Sequence, residues 1–536
     1  MFRQYDQCQP FLLPPSLQDF VEEGHPAHVV NDLVDQLDMS VLEARYGNLG
    51  QPAYHPRLML KVIVYGFTVG IFSSRKLQRA CQENLAFKYL AGMETPVFRT
   101  FIEFRQRHRE DMEGVFVQTA QLARELGLTR LGAVALDGSK VEANTSKHKA
   151  MSYGRMQEEE AKLKAEIEGL LERANAIDEQ EDQQYGAQAD GYRVSEELER
   201  REQRLAKIKK AKAALEEREE REHPGKPIGP KKQVSFADHD ARCFAKKGDG
   251  TRYVYNAQAA VAMDSQIIVA NHIEDSVSDA HAAKPVLERM EQDLGLPKKL
   301  VADAGYGNKD TLDSCQERGV TPVCATRREG KEDKDSGKLD RFSYDWDRDS
   351  FACPHGDVFV FAHEHPTDGT RTYKSMEPAP CTCGHYETVD GREVIGVEQS
   401  HLAKRELRRI MDEPGHSELY RRRKCTVEPA FGQIKAGMGF RRFYYRGQQN
   451  VRSEWNLVCA AFNLRKMAVL LQILPRNDGA ATMEEGTNNL PSKPRASSFL
   501  FLTSGLMALL QPLVRLLRLK ATPSVSFAQS PFGHHH

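Results

Sequence analysis

Residues 299–308 read KLVADAGYGN. A short apolar strand, Leu300 to Ala302, runs into a carboxylate, Asp303, and then into Ala-Gly-Tyr-Gly, a turn able to expose it. A charge at the tip of a buried strand must be solvated or partnered, because burying it alone is costly. One such acid decides little in a chain with 76 acidic residues. The reading therefore rests on what stands around it.

Upstream, DAHAAKPVLERMEQDLG predicts a helix that starts near Asp279 and is closed by Gly295, with Pro285 confining regular structure to the part after the first turn. Before it, RYVYNAQAAVAMDSQIIVANHI predicts two antiparallel strands joined by a hairpin turn at MDSQ. Further back, LGAVALDGSKVEAN is a β-rich run ending in Asp137. Downstream, Thr321 to Thr326 is a further short strand, residues 327 to about 400 are loop-rich, and a helical part begins near Ser417. With the two inserts set aside, the order is strand, strand, strand, helix, strand, strand, helix. That is the order of an RNase H-like α/β core, a mixed sheet flanked by helices.

In such a sheet the first and fourth strands are neighbours. The carboxylates of Asp137 and Asp303 then converge, and the last helix, YRRRKCTVEPAFGQIK, supplies Glu428. Converging carboxylates repel unless a cation neutralises them, which points to Mg²⁺ or Mn²⁺ held by Asp137, Asp303 and Glu428. Paired metal ions of this kind can activate a water or a 3′-hydroxyl for in-line attack at phosphorus. The surroundings suit a nucleic acid. Residues 401–446 hold 12 basic and 5 acidic residues, a local net of +7 in a chain whose formal net charge is −1. Phe440, Phe443, Tyr444 and Tyr445 lie among these cations, where aromatic faces could stack on unpaired bases.

Away from this block, the first 125 or so residues carry apolar positions at spacings of three and four and predict a compact helical domain. Residues 157–222 contain 20 acids and 13 basic residues. Met156, Leu163, Ile167, Leu170 and Ala174, then Val194, Leu198, Leu205, Ile208 and Leu215, form a stripe that predicts two antiparallel helices. Ten scattered cysteines and the lack of a recognisable leader indicate a reduced, cytoplasmic protein. Cys353, Cys381, Cys383 and His385 do not have the usual two-residue zinc spacing, so no structural zinc is expected. The apolar run SSFLFLTSGLMALLQPLVRLLRLK is interrupted by Pro512, Arg515 and Arg518, and reads as an assembly helix or a tail rather than a membrane span.

At these residues the chain resembles the bacterial insertion-sequence transposases of the DDE class. YHPRLMLKVIVYGFTVGIFSSRKLQRACQENLAFKYLAG is similar to their helical N-terminal domain, and KCTVEPAFGQIKAGMGFRRFYYRG to the block around their catalytic glutamate. ALDGSKVEAN, YVYNAQAAVA and VADAGYGN complete the series, which spans roughly residues 10 to 470. The resemblance implies Asp137, Asp303 and Glu428 as a metal-binding catalytic triad. It also implies DNA contacts from Tyr420, Arg423 or Lys424, and Lys435, with Arg441 and Arg442 extending the basic surface.

The domains expected are a helical DNA-binding domain over 1–125 and a catalytic domain over 126–150 and 232–470. A coiled helical-hairpin insertion follows over 151–231, a loop-rich insertion over 327–415 and a tail over 471–536. The activity implied is metal-dependent cleavage and strand transfer at an element's terminal inverted repeats, with target DNA as the acceptor, by a homodimer spanning paired ends in the bacterial nucleoid. The alternatives are a nuclease of the same fold without strand transfer, or a catalytically silent DNA-binding relative.

Overall fold

The computed structural model describes residues 16–471, apart from 48–51, 186–195, 247–249, 327–338, 340, 368, 377–386 and 390–391. Its centre is a mixed sheet. Strand β1 (Ala133–Glu142) lies antiparallel to the long β3 (Gly250–Ala262) and parallel to β5 (Lys299–Ala302), which is in turn parallel to β6 (Thr321–Cys324). The other edge of β3 carries β4 (Ile268–Glu274) and, at its start, the short β2 (Arg242–Lys246). The order β4-β3-β1-β5-β6, with β1 between the long antiparallel β3 and the parallel β5, is the RNase H-like arrangement expected from the element order.

The β3–β4 hairpin forms where expected. Its strands are nearly continuous runs of small and β-branched residues buried on both faces, and the Met263–Gln266 turn closes with Gln266 at φ 61°. β1 departs from expectation. It does not end at Asp137 but continues to Glu142, because β3 is long enough to pair with it throughout. The parallel pairing with β5 stops at Leu136–Ala302, so from Asp137 onward that edge of β1 is free of its sheet neighbour.

Helix α1 (Pro26–Asp35) and helix α2 (Pro56–Thr68) start alike: a histidine N-cap, His25 or His55, accepts from the N–H two residues on, and proline takes the first helical position. Helices α3 (Ser74–Glu83), α4 (Leu85–Leu90), α5 (Phe98–Arg107) and α6 (Met112–Glu125) follow. The helical hairpin is present as α7 (Tyr153–Tyr185) and α8 (Glu196–Glu222). Met156, Leu163, Ile208 and Leu215 are buried between them, and the pairs Glu160–Lys212 and Glu166–Arg201 fix the antiparallel register. Helix α9 (Ala283–Asp293) precedes β5 and α10 (Lys309–Glu317) follows it. Ala174, Val194 and the apolar run 497–520 lie where side chains are outside the described residues.

The loop-rich segment is a correction. Residues 343–397 form a six-stranded antiparallel sheet around Phe351, Phe359, Tyr373, Ile395 and Val397. Its strands are mostly short and turn a largely exposed face to solvent, so each offers few apolar residues to a periodicity reading. Helix α11 (Gln399–Asp412) then begins well before Ser417, and α12 (His416–Gly432) crosses β1, β3, β5 and β6. The last helix, α13 (Gln448–Leu470), is buried along most of its length against α1, α2, α6 and β4, so the helical N-terminal region and the sheet share one core. Its Trp455 donates to the Gln258 carbonyl, and its Asn463 pairs with both backbone groups of Ile268 as a neighbouring strand would. No helix among the described residues is long and apolar enough to cross a membrane.

Candidate active site

The parallel register sets Leu136 beside Ala302, and the next residues on the two strands are Asp137 and Asp303. Asp303 is held by its own turn. The Gly305 N–H donates to its Oδ1 at 2.7 Å, and the Tyr306 N–H to its carbonyl at 3.1 Å. A Cβ on residue 305 would lie 2.9 Å from Asp303 Oδ1, so a larger residue there would push the carboxylate aside. Asp137 Oδ1 accepts from the Gly138 N–H at 2.8 Å and its Oδ2 from Arg423 Nη1 at 2.9 Å. Burial pushes the Asp137 carboxyl above its ordinary range; the Arg423 guanidinium and the Gly138 N–H pull it back, and Asp303 pushes it up again.

The helix that brings Arg423 presents Arg423, Thr426, Val427, Ala430 and Phe431 inward, a spacing of three and four residues. Pro429 leaves the Cys425 carbonyl without its helical donor, and Gln266 Nε2 from the β3–β4 turn supplies one at 3.0 Å. The guanidinium of Arg423 sits over the Tyr420 ring, 5.9 Å from its centroid. Arg423 is thus buried against Asp137 while Lys424 is exposed. Glu428 is exposed too, and forms no ion pair among the described residues. The register sets the two aspartates side by side, and Glu428 stands exposed on the helix whose Arg423 meets Asp137. No group of three or more metal-ligating side chains within reach of one ion occurs among the described residues.

Beyond Asp137, the free edge of β1 is lined by the segment after α12. There the chain makes a π-helical turn, Gln433–Gly437, whose Lys435 donates from Nζ to Ser139 Oγ at 2.5 Å. Burial pushes this ammonium below its ordinary value, as does Arg252. The backbone of Arg442 forms a β-bridge with Glu142 and its guanidinium reaches Asn144, while Arg441 is exposed beside Lys435. The interleaved aromatics divide. Phe440 and Phe443 are fully buried beside Trp455 and offer no face to a base, because the chain alternates inward and outward here; only Tyr444 and, in part, Tyr445 remain outside.

Asp279 is a site residue that sequence reading did not assign a role. Its Oδ1 accepts from Lys140 Nζ, Asn256 Nδ2 and Gln258 Nε2 at 2.8, 2.9 and 2.8 Å. Gln258 Oε1 in turn accepts from Tyr306, the fully buried tyrosine of the Asp303 turn. Burial pushes the Tyr306 phenol far up, and the charges of Asp279, Asp137 and Asp303 add to this. A Cβ on Gly138 would collide with Gln258 and Asp279, which explains the glycine after Asp137. The available signal was Asn256 and Gln258, two amides at alternate positions in an otherwise apolar strand. Of the cysteine candidates, Cys353 is buried with its sulfur accepting the N–H groups of His355 and Asp357, and Cys381, Cys383 and His385 lie outside the described residues.

Residues 222–464 match the family model described as a transposase DDE domain, and residues 15–107 match one described as a transposase domain, DUF772. The longer match contains Asp303 and Glu428 but starts after β1, so Asp137 owes its assignment to sheet geometry. No curated protein and no solved structure matches the chain.

Proposed function

Because this chain belongs to the insertion-sequence transposases of the DDE class, we propose that it cuts the 3′ ends of its element and joins them to target DNA, with Asp137, Asp303 and Glu428 as the catalytic acids. The observation that carries the reading is the parallel register of β1 and β5, which leaves Asp137 and Asp303 side by side where β1 loses its parallel neighbour. A carboxylate, Asp137, whose proton affinity is raised by burial and by a second carboxylate, Asp303, beside it suits a hard divalent cation. Asp137, Asp303 and Glu428 would hold Mg²⁺ or Mn²⁺, and such an ion supplies the positive charge that favours a hydroxide or 3′-alkoxide nucleophile at phosphorus.

The protein's own groups do the remaining work. The Gly138 and Gly305 N–H groups and Arg423 fix the carboxylates, and Arg423 and the Gly138 N–H offset part of the effect of burial on Asp137. Lys435, Arg441 and Arg442 line the free edge of β1 and neutralise the phosphates of the strand laid along it, with Lys424 and Tyr420 on the outer side of α12. The helical N-terminal region recognises the terminal inverted repeats, and two copies bridge the paired ends.

The test is nicking and joining, with Mg²⁺, of DNA carrying the sequences that flank this gene, by wild type and by Asp303→Asn. Metal-dependent 3′ nicking and joining by wild type alone supports the assignment. Nicking without joining favours the nuclease reading, and equal activity in both proteins removes Asp303 from the site.

A further inference from the structure

The free edge of β1 leads away from the acids along a row of cations. Lys435 meets Ser139, Arg442 meets Asn144 Oδ1, and Arg446 donates from Nε to the Asn144 carbonyl at 2.8 Å. At a strand rise of about 3.3 Å per residue, Asn144 lies about 23 Å from Asp137. At that end a groove of about 410 Å³ opens between Arg446–Gly447 and the second helix of the hairpin, with Lys207 and Lys210 on its far wall.

The lysines stand out against their helix. Residues 206–215 read AKIKKAKAAL, four lysines and no acid, within a hairpin that is otherwise acidic. Several other hairpin cations are matched: Lys164 and Lys212 with Glu160, Arg201 with Glu166, Arg204 with Glu159. Lys207, Lys209 and Lys210 are exposed and have no acidic partner among the described residues. Two acids also line the groove: Asp238 is buried and accepts from Tyr255 and the Gly447 N–H, and Asp240 accepts from the Gln448 N–H, so these donors offset part of their charge. A cationic wall facing Arg446, in line with a run of cations that starts at the acids, fits a partner with regularly spaced negative charge.

We propose that this groove holds the backbone of the same DNA duplex whose phosphodiester lies at Asp137 and Asp303, about seven base pairs away at about 3.4 Å per pair. The helical hairpin is then the outer wall of the DNA channel. This assignment rests on the transposase reading for its choice of DNA.

The test is binding of the full chain, without metal, to two fluorescent duplexes from the element's end: one reaching twelve base pairs to each side of the cleavage position, one stopping at four. The variants are K207E/K210E and K207R/K210R. The glutamate variant should bind the long duplex at least about tenfold more weakly, with a salt slope smaller by about two, while the arginine variant keeps wild-type affinity. The loss should be confined to the long duplex, with an unchanged melting temperature. Equal affinity and slope for the long duplex overturns the assignment, as does a change in the protein's mass in solution with DNA affinity intact. Since binding is read without cleavage, a wild type that shows this length dependence and cuts nothing counts against the catalytic reading and leaves the groove assigned.

Discussion

Arg423 Nη1 lies 2.9 Å from Asp137 Oδ2, joining the helix after the second sheet to the first strand of the core across 286 residues of chain. The arginine side chain is only 7% exposed, so the pair exchanges little solvation with water and each partner depends on the other.

Arg423→Gln should therefore leave a mostly buried carboxylate without its counter-charge, at a cost of about 3 kcal/mol near neutral pH. Burial already raises the Asp137 carboxyl, and without Arg423 it rises further. A raised carboxyl loses stability as pH climbs through its folded-state value, so the gap from wild type should narrow on acidification. Urea titrations from pH 4 to 8 measure it. Combining R423Q with Asp137→Asn should recover much of the loss, and a double variant no more stable than R423Q would break the argument.

Asp279 holds three donors on one oxygen and, through Gln258, the buried Tyr306 under the Asp303 turn. Asp279→Asn removes the counter-charge of Lys140 and leaves a neutral, weaker acceptor for the three donors. A loss of about 2 kcal/mol in stability is expected. Nicking should fall more than DNA affinity, since Asp279 acts on the geometry of the acids and not on phosphates. Equal losses in both would make it a merely structural residue.

The aromatic block near the site gives a contrast in one short segment. Phe443 is fully buried against Tyr255, Phe440 and Trp455, whereas Tyr444 is 40% exposed and rests on Phe72. Phe443→Ala should cost about 3 to 4 kcal/mol, in the range for truncating a core aromatic. Tyr444→Ala should cost less than about 1 kcal/mol. Thermal unfolding of the two variants decides it, and similar melting temperatures would contradict the buried position of Phe443.

The strands that carry Asp137 and Asp303 were legible because each is an apolar run cut off by an acid and a glycine, and the hairpin because Met156, Leu163, Ile208 and Leu215 recur at helical spacing between charges. What stayed hidden was non-local. Asp279 gains its meaning from Lys140, Asn256 and Gln258, which reach it from two other strands. The inward choice of Arg423 over Lys424 depends on how α12 lies across four strands, and spacing from Glu428 alone could not decide between them. The second sheet escaped for a different reason: where one face of a short strand is solvated, two or three buried residues such as Phe351 or Phe359 do not make a period.

Glu454 supplies the clearest dependence on pH. It lies within α13, almost wholly buried, and accepts from the N–H groups of Tyr444 and Tyr445, so it pins the loop between the basic residues and the last helix. Burial pushes its carboxyl up to about 7, against the pull of those two N–H groups and of Arg105. In the unfolded chain the same group titrates near an ordinary glutamate, about 4.3. Between these values the folded protein keeps a proton that the unfolded one has released, so unfolding is favoured increasingly as pH rises from about 4.3 to 7 and the effect then levels off. The stability lost across that window is on the order of 3 kcal/mol. Glu454→Gln cannot ionise and should remove this slope while costing little at pH 4 to 5, where the native side chain is itself neutral. Denaturant midpoints at half-unit intervals from pH 4 to 8 compare the two proteins, and parallel profiles would mean that Glu454 titrates alike in the folded and unfolded chains.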